Sequence, residues 1–217
     1  MTTRQELLKR VASRLLALPA RPVLRVAIDG VDGAGKTMFA DELAAQLAPS
    51  GRPVIRASVD GFHNPAAVRY RQGRDSPVGF FEDSYDYDLL ERRLLVPLSP
   101  GGSGRYRTAA FDHRRDAPVV VEERVVPADA ILLFDGIFLH RPRLRPFWDI
   151  SIFLDVPFTT SIPRCAQRGD GSPDPDAPGN RRYVEGQRLY LRTCAPRRHA
   201  TLVIDNTDLA APRIVRR

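Results

Sequence analysis

Gly30-Val31-Asp32-Gly33-Ala34-Gly35-Lys36-Thr37 satisfies the spacing G-x-x-x-x-G-K-[ST] at every fixed position. Glycines at this spacing let a backbone wrap an anion without Cβ clashes, so successive N–H groups point inward and the next helix adds its positive dipole end. The chemistry is phosphate binding. The pattern predicts a nucleoside triphosphate held by this loop together with Met38, with Lys36 reaching the β/γ-phosphates and Thr37 a Mg²⁺ ion. A glycine-rich turn that merely joins a strand to a helix is the plainer alternative.

Moving a phosphoryl group requires an acceptor oxygen held in line with the terminal phosphate, and cations to neutralise charge as the bond breaks. Asp135 follows the apolar run Ile131-Leu132-Leu133-Phe134 and is the candidate metal ligand beside Thr37, directly or through water. Asp60 ends a second predicted strand and is the candidate base toward an acceptor hydroxyl. A helix-capping or turn aspartate is the alternative for Asp60, and a buried turn acid for Asp135. Arg164 and Arg168 lie four apart on one predicted helical face, where guanidinium forks suit phosphates; a solvated basic face is the alternative. Arg181 and Arg182 come second for the same task.

These groups need elements that deliver them to one rim, and a parallel sheet does so at the C-terminal ends of its strands. Val23, Val26 and Ile28 predict a strand before the loop; Phe39, Leu43 and Leu47 predict a helix after it, stopped by Pro49 and Gly51. Further strands are expected at 54–59, 130–134, 150–154 and 202–204, the middle two apolar, Ser151 aside, as interior strands are. Apolar residues at 7, 8, 11, 15 and 16 predict an N-terminal helix within 3–18 that packs on the sheet. Residues 69–83, broken by Gly73, Pro77 and Gly79, read as a mobile part of a substrate flap spanning about 63–85, with a helix following at 86–95. Pieces near 106–111 and 119–126 suggest a small antiparallel ribbon. Helices near 159–168 and 181–194 flank a breaker-rich loop, together a lid over about 164–185. The expected fold class is α/β: a P-loop NTPase three-layer sandwich with a parallel sheet of about five strands, in one domain over 1–217.

Composition narrows the setting. A chain of 217 residues with 43% hydrophobic and 27% charged residues has the balance of one globular α/β domain. No apolar stretch approaches the roughly 18–20 residues of a membrane span, and the polar N-terminus with the short apolar segment Leu15–Ala20 does not read as a signal peptide. Cys165 and Cys194 are isolated from one another and from metal-type ligands, so neither a disulfide framework nor zinc is expected, and a reducing cytoplasm is. The net charge of +7 comes almost wholly from arginine, Lys9 and Lys36 being the only lysines. Without a recognised nucleic-acid motif beside them, the arginines predict no nucleic-acid partner. The expected partner is a small molecule bearing a hydroxyl; a homo-oligomer is left open.

With the phosphate loop, Asp60-Gly61-Phe62, Ile131–Gly136 and the arginine lid taken together, the chain resembles the uridine kinase, phosphoribulokinase and pantothenate kinase superfamily of P-loop kinases over about residues 22–208. In uridine kinases an Asp-Ser-Phe-Tyr element follows the second strand. Here Asp60-Gly61-Phe62-His63 stands in its place, so the resemblance gives Asp60 the role of base and sets His63 where the tyrosine was, beside Phe62. It also implies Asp83 for ribose hydroxyls, Tyr106 and His113 for the base, Arg181 close to the family's glutamine, and an adenine site near Asn206–Asp208. Arg164, Arg168 and Pro196 fall at uridine-kinase intervals. Glu82-Asp83-Ser84-Tyr85-Asp86 and Phe147–Ile152 are instead similar to pantothenate kinase segments.

The resulting expectation is an ATP- and Mg²⁺-dependent kinase acting on a primary hydroxyl, with uridine or cytidine first and pantothenate or another small alcohol second. A nucleotide-dependent switch would call for Asn-Lys-x-Asp after a late strand, and Asp205-Asn206-Thr207-Asp208 lacks the lysine. A family member that has lost catalysis is opposed by the intact Lys36, Thr37, Asp60 and Asp135.

Overall fold

The computed structural model describes residues 3–19 and 21–216; Met1, Thr2, Ala20 and Arg217 lie outside the described residues, and with them the ends of the expected 1–217 domain. Helix α1 (Arg4–Leu16) leads into strand β1 (Val23–Gly30), the phosphate loop, helix α2 (Lys36–Leu47) and strand β2 (Val54–Ser58). Short helices α3 (Ala66–Arg69), α4 (Pro77–Asp83) and α5 (Tyr87–Leu90) follow, then the two-residue strands β3 (Arg105–Tyr106), β4 (Phe111–Asp112), β5 (Ala117–Pro118) and β6 (Arg124–Val125). The chain continues through β7 (Ala130–Gly136), β8 (Ile150–Asp155), α6 (Phe158–Ala166), α7 (Arg181–Cys194), α8 (Pro196–His199), β9 (Leu202–Asp205) and β10 (Arg213–Arg216).

The main sheet has the order β10-β9-β8-β1-β7-β2, parallel except for the β10–β9 pair. The fold is mixed α/β with the five parallel strands expected; β10 is an antiparallel addition that the four residues Arg213–Arg216, half of them arginine, do not announce. Strands β1 and β7 are buried along their whole length, which explains the apolar run of β7 and the largely apolar β1. One face is covered by α1 and α2, where Leu7, Leu15, Phe39 and Leu43 pack on Ile28, Ile131 and Ile152. The other is covered by α4, α5 and α7, whose Phe80, Leu90 and Tyr190 meet Leu132 and Phe134. Thr3 caps α1 in a reciprocal capping box with Glu6, so the helix begins where the chain leaves solvent.

Register delivers the chemistry to one edge. Asp29 pairs with Gly136, Ser58 with Asp135, and Asp155 with Asp205, so the strands' acidic ends lie side by side at their C-termini. The ribbon forms as two nested antiparallel pairs, β3 with β6 and β4 with β5.

The flap departs from expectation. Residues 77–83 are not a mobile cover but helix α4, with Pro77 at its first turn and the Ser76 hydroxyl accepting from Gly79 N at 3.0 Å. Phe80 and Phe81 anchor it in the core, and Gly186 on α7 admits it closely: a Cβ there would come within 2.8 Å of Phe80. The breakers are a capped helix start rather than flap loop. The helix expected over 86–95 is α5 continued by one π-helical turn, Glu91–Leu95. Among the described residues no helix is long and apolar enough to cross a membrane.

Candidate active site

Residues 30–37 leave β1 and enter α2 as the spacing requires. Gly33 and Gly35 adopt φ of 74° and 85°, a left-handed region that strains other residues. No side chain caps α2, so its first N–H groups remain directed at the loop's concavity, the arrangement that suits an anion. Lys36 Nζ donates to Val31 O at 2.9 Å and lies against the loop itself. Two buried side chains hold the loop from behind: Gln187 of α7 accepts from Asp32 N at 2.6 Å, and Asn206, after β9, donates to Ala34 O at 2.8 Å.

Thr37 Oγ1 donates to Asp135 Oδ2 at 2.8 Å, which brings the two candidate metal ligands into contact. Arg56 from β2 occupies the other oxygen, Oδ1, at 2.9 Å and also reaches Asp41 at 2.9 Å. A buried carboxylate needs such a partner, and Arg56 is a mid-strand residue whose role the sequence reading missed. Among the described residues there is no group of three or more His, Cys, Asp or Glu placed to hold a metal ion.

Lys36, Thr37, Met38, Asp135, Asp60, Arg164 and Arg168 line one cavity of about 410 Å³. A second cavity, of about 420 Å³, shares Asp32, Asp60, Tyr85 and Ile137 with it, so the two adjoin at Asp60. The exposed Asp60 follows β2 on a short 3-10 turn begun by Ser58, whose hydroxyl accepts from Asp60 N at 3.3 Å. Tyr85 donates to Asp60 Oδ1 at 3.3 Å, and burial raises the Tyr85 phenol well above its ordinary range, with Asp60 adding to the effect. Burial also raises the Asp32 carboxyl, against the pull of Lys36.

His63 and His113 stack at 4.4 Å on the wall of the second cavity. Burial holds His63 below its usual range, against the bond to Asp60 O that favours its cation, so His63 is neutral near pH 7. Phe62, Tyr106, Asp83 and Arg181 line neither cavity. Phe62 is fully buried in the core and lines neither cavity. Tyr106 is buried on the far side of the ribbon, beside the outer face of β2, because β3 turns it into the core. Asp83 is bound by Arg71 and by Gln72 Nε2 at 2.7 Å; burial pulls its carboxyl upward, but these bonds win and lower it. Arg181 opens on a groove between α4 and α7 outside both cavities, one residue out of phase with Arg182, which faces the second. Arg164 clasps the end of β9 at Thr207 O, 2.6 Å, and Asn206 O, 3.3 Å, while Asn206 itself is buried.

Behind the loop lies a network that no motif announced. Asp29, the last polar residue before Gly30, is fully buried; it accepts from Gly30 N at 2.7 Å and bonds His140 Nδ1 at 2.6 Å and the Tyr190 hydroxyl. Tyr190 OH also accepts from His140 N at 3.0 Å, and burial first, then Asp29, raises its phenol well above the ordinary range. An acid interrupting a strand as apolar as β1 was the available signal.

Residues 25–169 match the family described as "Phosphoribulokinase / Uridine kinase family". A thymidylate kinase of Xylella fastidiosa (strain 9a5c) is 32% identical over 154 residues, covering 66% of this chain and 66% of that protein, so the match leaves about a third of that relative's length uncovered. A uridine kinase of Leuconostoc citreum (strain KM20) is 30% identical over 186 residues, 81% of this chain and 80% of that protein. Among solved structures, a Bacillus stearothermophilus protein described as a possible uridine kinase has the same fold, with TM-score 0.69 at 24% identity over 90% of this chain and 96% of that one. The nucleotide-type loop, the acids on its rim and this kinship agree: the chain belongs to the phosphoribulokinase/uridine kinase family of P-loop kinases.

Proposed function

We propose that this protein is an ATP-dependent phosphotransferase that moves the γ-phosphoryl group to a hydroxyl of a small metabolite. One observation carries the reading: the phosphate-loop groups Lys36 and Thr37 share a cavity with Asp60, and Asp60 also borders a second cavity large enough for a metabolite. Thr37 and Asp135 would hold Mg²⁺; a two-residue protein site suits this ion, which takes its other oxygens from phosphates and water and supplies charge neutralisation. Asp60 takes the proton of the acceptor hydroxyl while that oxygen bonds to phosphorus; the bond from phosphorus to the β,γ-bridging oxygen breaks, and its electron pair leaves with ADP. Lys36, Arg164 and Arg168 face the phosphate cavity and offset the charge that builds on the oxygens.

Kinship with the uridine kinase of Leuconostoc citreum supports a nucleoside, uridine or cytidine, as the first acceptor, and the rings of His63, His113, Tyr70 and Tyr183 give its base surfaces to lie on. A second reading, pantothenate or another acid-bearing alcohol, is favoured by the Arg182 guanidinium on the same wall. Family kinship and the lack of a membrane-spanning helix among the described residues are consistent with work in the cytoplasm. The test is acceptor-dependent ADP release with ATP and Mg²⁺ over a panel of uridine, cytidine and pantothenate. Saturable release with at least one acceptor is expected; ATP hydrolysis indifferent to every acceptor would favour a nucleotide switch instead.

A further inference from the structure

Helix α1 reaches the rear of the phosphate loop through Arg4, on its first turn. Arg4 Nη1 donates to Asn206 Oδ1 at 3.1 Å and to Leu209 O at 3.3 Å, while Nε donates to Glu42 Oε2 of α2 at 2.6 Å. Its main-chain N–H meets Ala210 O at 3.0 Å, and its guanidinium carbon lies 5.8 Å from the centre of the Phe39 ring. The planar fork thus ties the segment after β9 to the helix that leaves the phosphate loop, a span that the point charge of a lysine does not cover.

Asn206 gives this grip its meaning. It is fully buried, and its amide serves two partners: Nδ2 donates to Ala34 O of the phosphate loop at 2.8 Å while Oδ1 accepts from Arg4. Turned over, the amide would set its oxygen against the Ala34 carbonyl and its NH₂ against the guanidinium, so the two partners together fix one orientation. Without Arg4 the buried Oδ1 loses its donor, and that orientation loses half its support. Leu209 lines the phosphate cavity with Gly35 and Lys36, and the fit is close: a Cβ on Gly35 would lie 3.2 Å from Asn206 Nδ2 and 3.6 Å from Leu209 Cδ2. Arg164, which lines the same cavity, holds the carbonyls of Asn206 and Thr207, so Arg4 and Arg164 share the fixing of residues 206–210. Arg4 and these residues fall outside the span 25–169 that matches the family.

We propose that Arg4 is a positioning residue for the nucleotide: acting through Asn206 and Leu209, it holds the back of the phosphate loop and one wall of its cavity in the shape that receives the triphosphate. Helix α1 is then a working part of the site as well as a cover for the sheet. The inference rests on nucleotide binding in this cavity and is independent of which acceptor is used.

Two substitutions on α1 separate positioning from plain support of the fold. Arg4→Met keeps an apolar stem near Phe39 and removes the donors, whereas Leu15→Ala hollows the buried face of the same helix and leaves Arg4 in place. Binding of a non-hydrolysable ATP analogue with Mg²⁺ is measured by calorimetry well below each variant's thermal midpoint, and the midpoints by circular dichroism. Arg4→Met should weaken the analogue roughly 3- to 30-fold, the range for members of one hydrogen-bond network, and Arg4→Lys should recover part of the loss. Leu15→Ala should lower the midpoint at least as far yet bind the analogue within about two-fold of the wild type. With any acceptor that supports ADP release, KM for ATP should rise in Arg4→Met by a larger factor than kcat falls. Wild-type affinity in Arg4→Met overturns the proposal and leaves the kinase reading standing. So does a loss in Leu15→Ala as large as that in Arg4→Met, since the effect would then be one of stability. Arg4-dependent binding without transfer to any acceptor keeps the positioning role and removes the kinase reading; no binding by the wild type removes both. Should Arg4→Met not fold, Arg4→Lys decides, with weakened binding supporting the proposal and wild-type affinity overturning it.

Discussion

Gly33→Ala isolates the contact that seats the phosphate loop on helix α6. Gly33 has φ 74°, and a Cβ there would fall on the Ser161 carbonyl oxygen and lie 2.8 Å from its carbon and 3.0 Å from Cys165 Sγ. Gly51 has the same φ of 74° but nothing within 4 Å of a built Cβ, so Gly51→Ala carries the backbone strain alone. Left-handed backbone costs a non-glycine residue about 1–2 kcal/mol, less about 0.4–1 kcal/mol gained from a stiffer unfolded chain, for a net of about 1 kcal/mol. At Gly33 the backbone of α6 must also retreat by roughly 1 Å, and overpacking of this kind adds about 1–3 kcal/mol. For a chain of this length each kcal/mol moves the thermal midpoint by about 2–4 °C. Gly51→Ala should therefore lower it by about 2–4 °C and Gly33→Ala by about 4–16 °C, read by circular dichroism under one buffer. Because α6 carries Arg164, whose guanidinium clasps Thr207 O, the Gly33 variant should also bind ATP more weakly, while the Gly51 variant should not. Equal shifts in the two variants would refute the idea that tight loop-on-helix packing makes Gly33 necessary.

Asp60→Asn should cut transfer by about 10²- to 10⁴-fold with ATP affinity nearly unchanged; parallel loss of both, in single-turnover kinetics and calorimetry, would mean that Asp60 is not the base. Tyr190→Phe removes a hydroxyl that serves both Asp29 and His140 N, and should cost about 1–3 kcal/mol because buried partners go unmet; an unchanged denaturant midpoint would count against the network. His63 has its pKa lowered by burial from the usual 6.5, so below about pH 6.5 the unfolded chain binds more protons than the folded one. Its contribution is fully present above pH 6.5 and is lost as the pH falls, so the wild type should lose more thermal stability between pH 7.5 and 5.5 than His63→Gln does; equal losses would reject this account. Arg56→Ala should weaken Mg²⁺-dependent ATP binding by freeing Asp135 from its fixed orientation, a result tested by Mg²⁺ titration of nucleotide affinity.

How far the chain could be read depended on how local the cause was. The loop at 30–37 and the buried runs of β1, β7 and β8 are set by neighbours in sequence, through glycine conformations and largely apolar residues, and their positions were legible. Helix α4 was not, because its Pro77 and Gly79 read as breakers until Ser76 is seen capping a turn whose Phe80 and Phe81 reach the core. Arg181 and Arg182 are adjacent, and only the phase of α7 decides which one meets the second cavity. Tyr106 had the right chemistry on a ribbon whose pairing turned it away.

By itself, then, the order of residues determined a phosphate cradle, a parallel sheet to carry it and acids at the strand ends, since each follows from contacts a few residues long. Tertiary structure alone decided which polar groups end up paired: Asp135 with Arg56, Asp83 with Arg71, Asp29 with His140 and Tyr190, and Arg182 with the carbonyls of Gly73, Ser76 and Arg69. The physical reason is that electrostatic partnership depends on distance through space and on burial. Residues 79, 12, 111 and 161 positions apart in these pairs have neither until the folded chain brings them together.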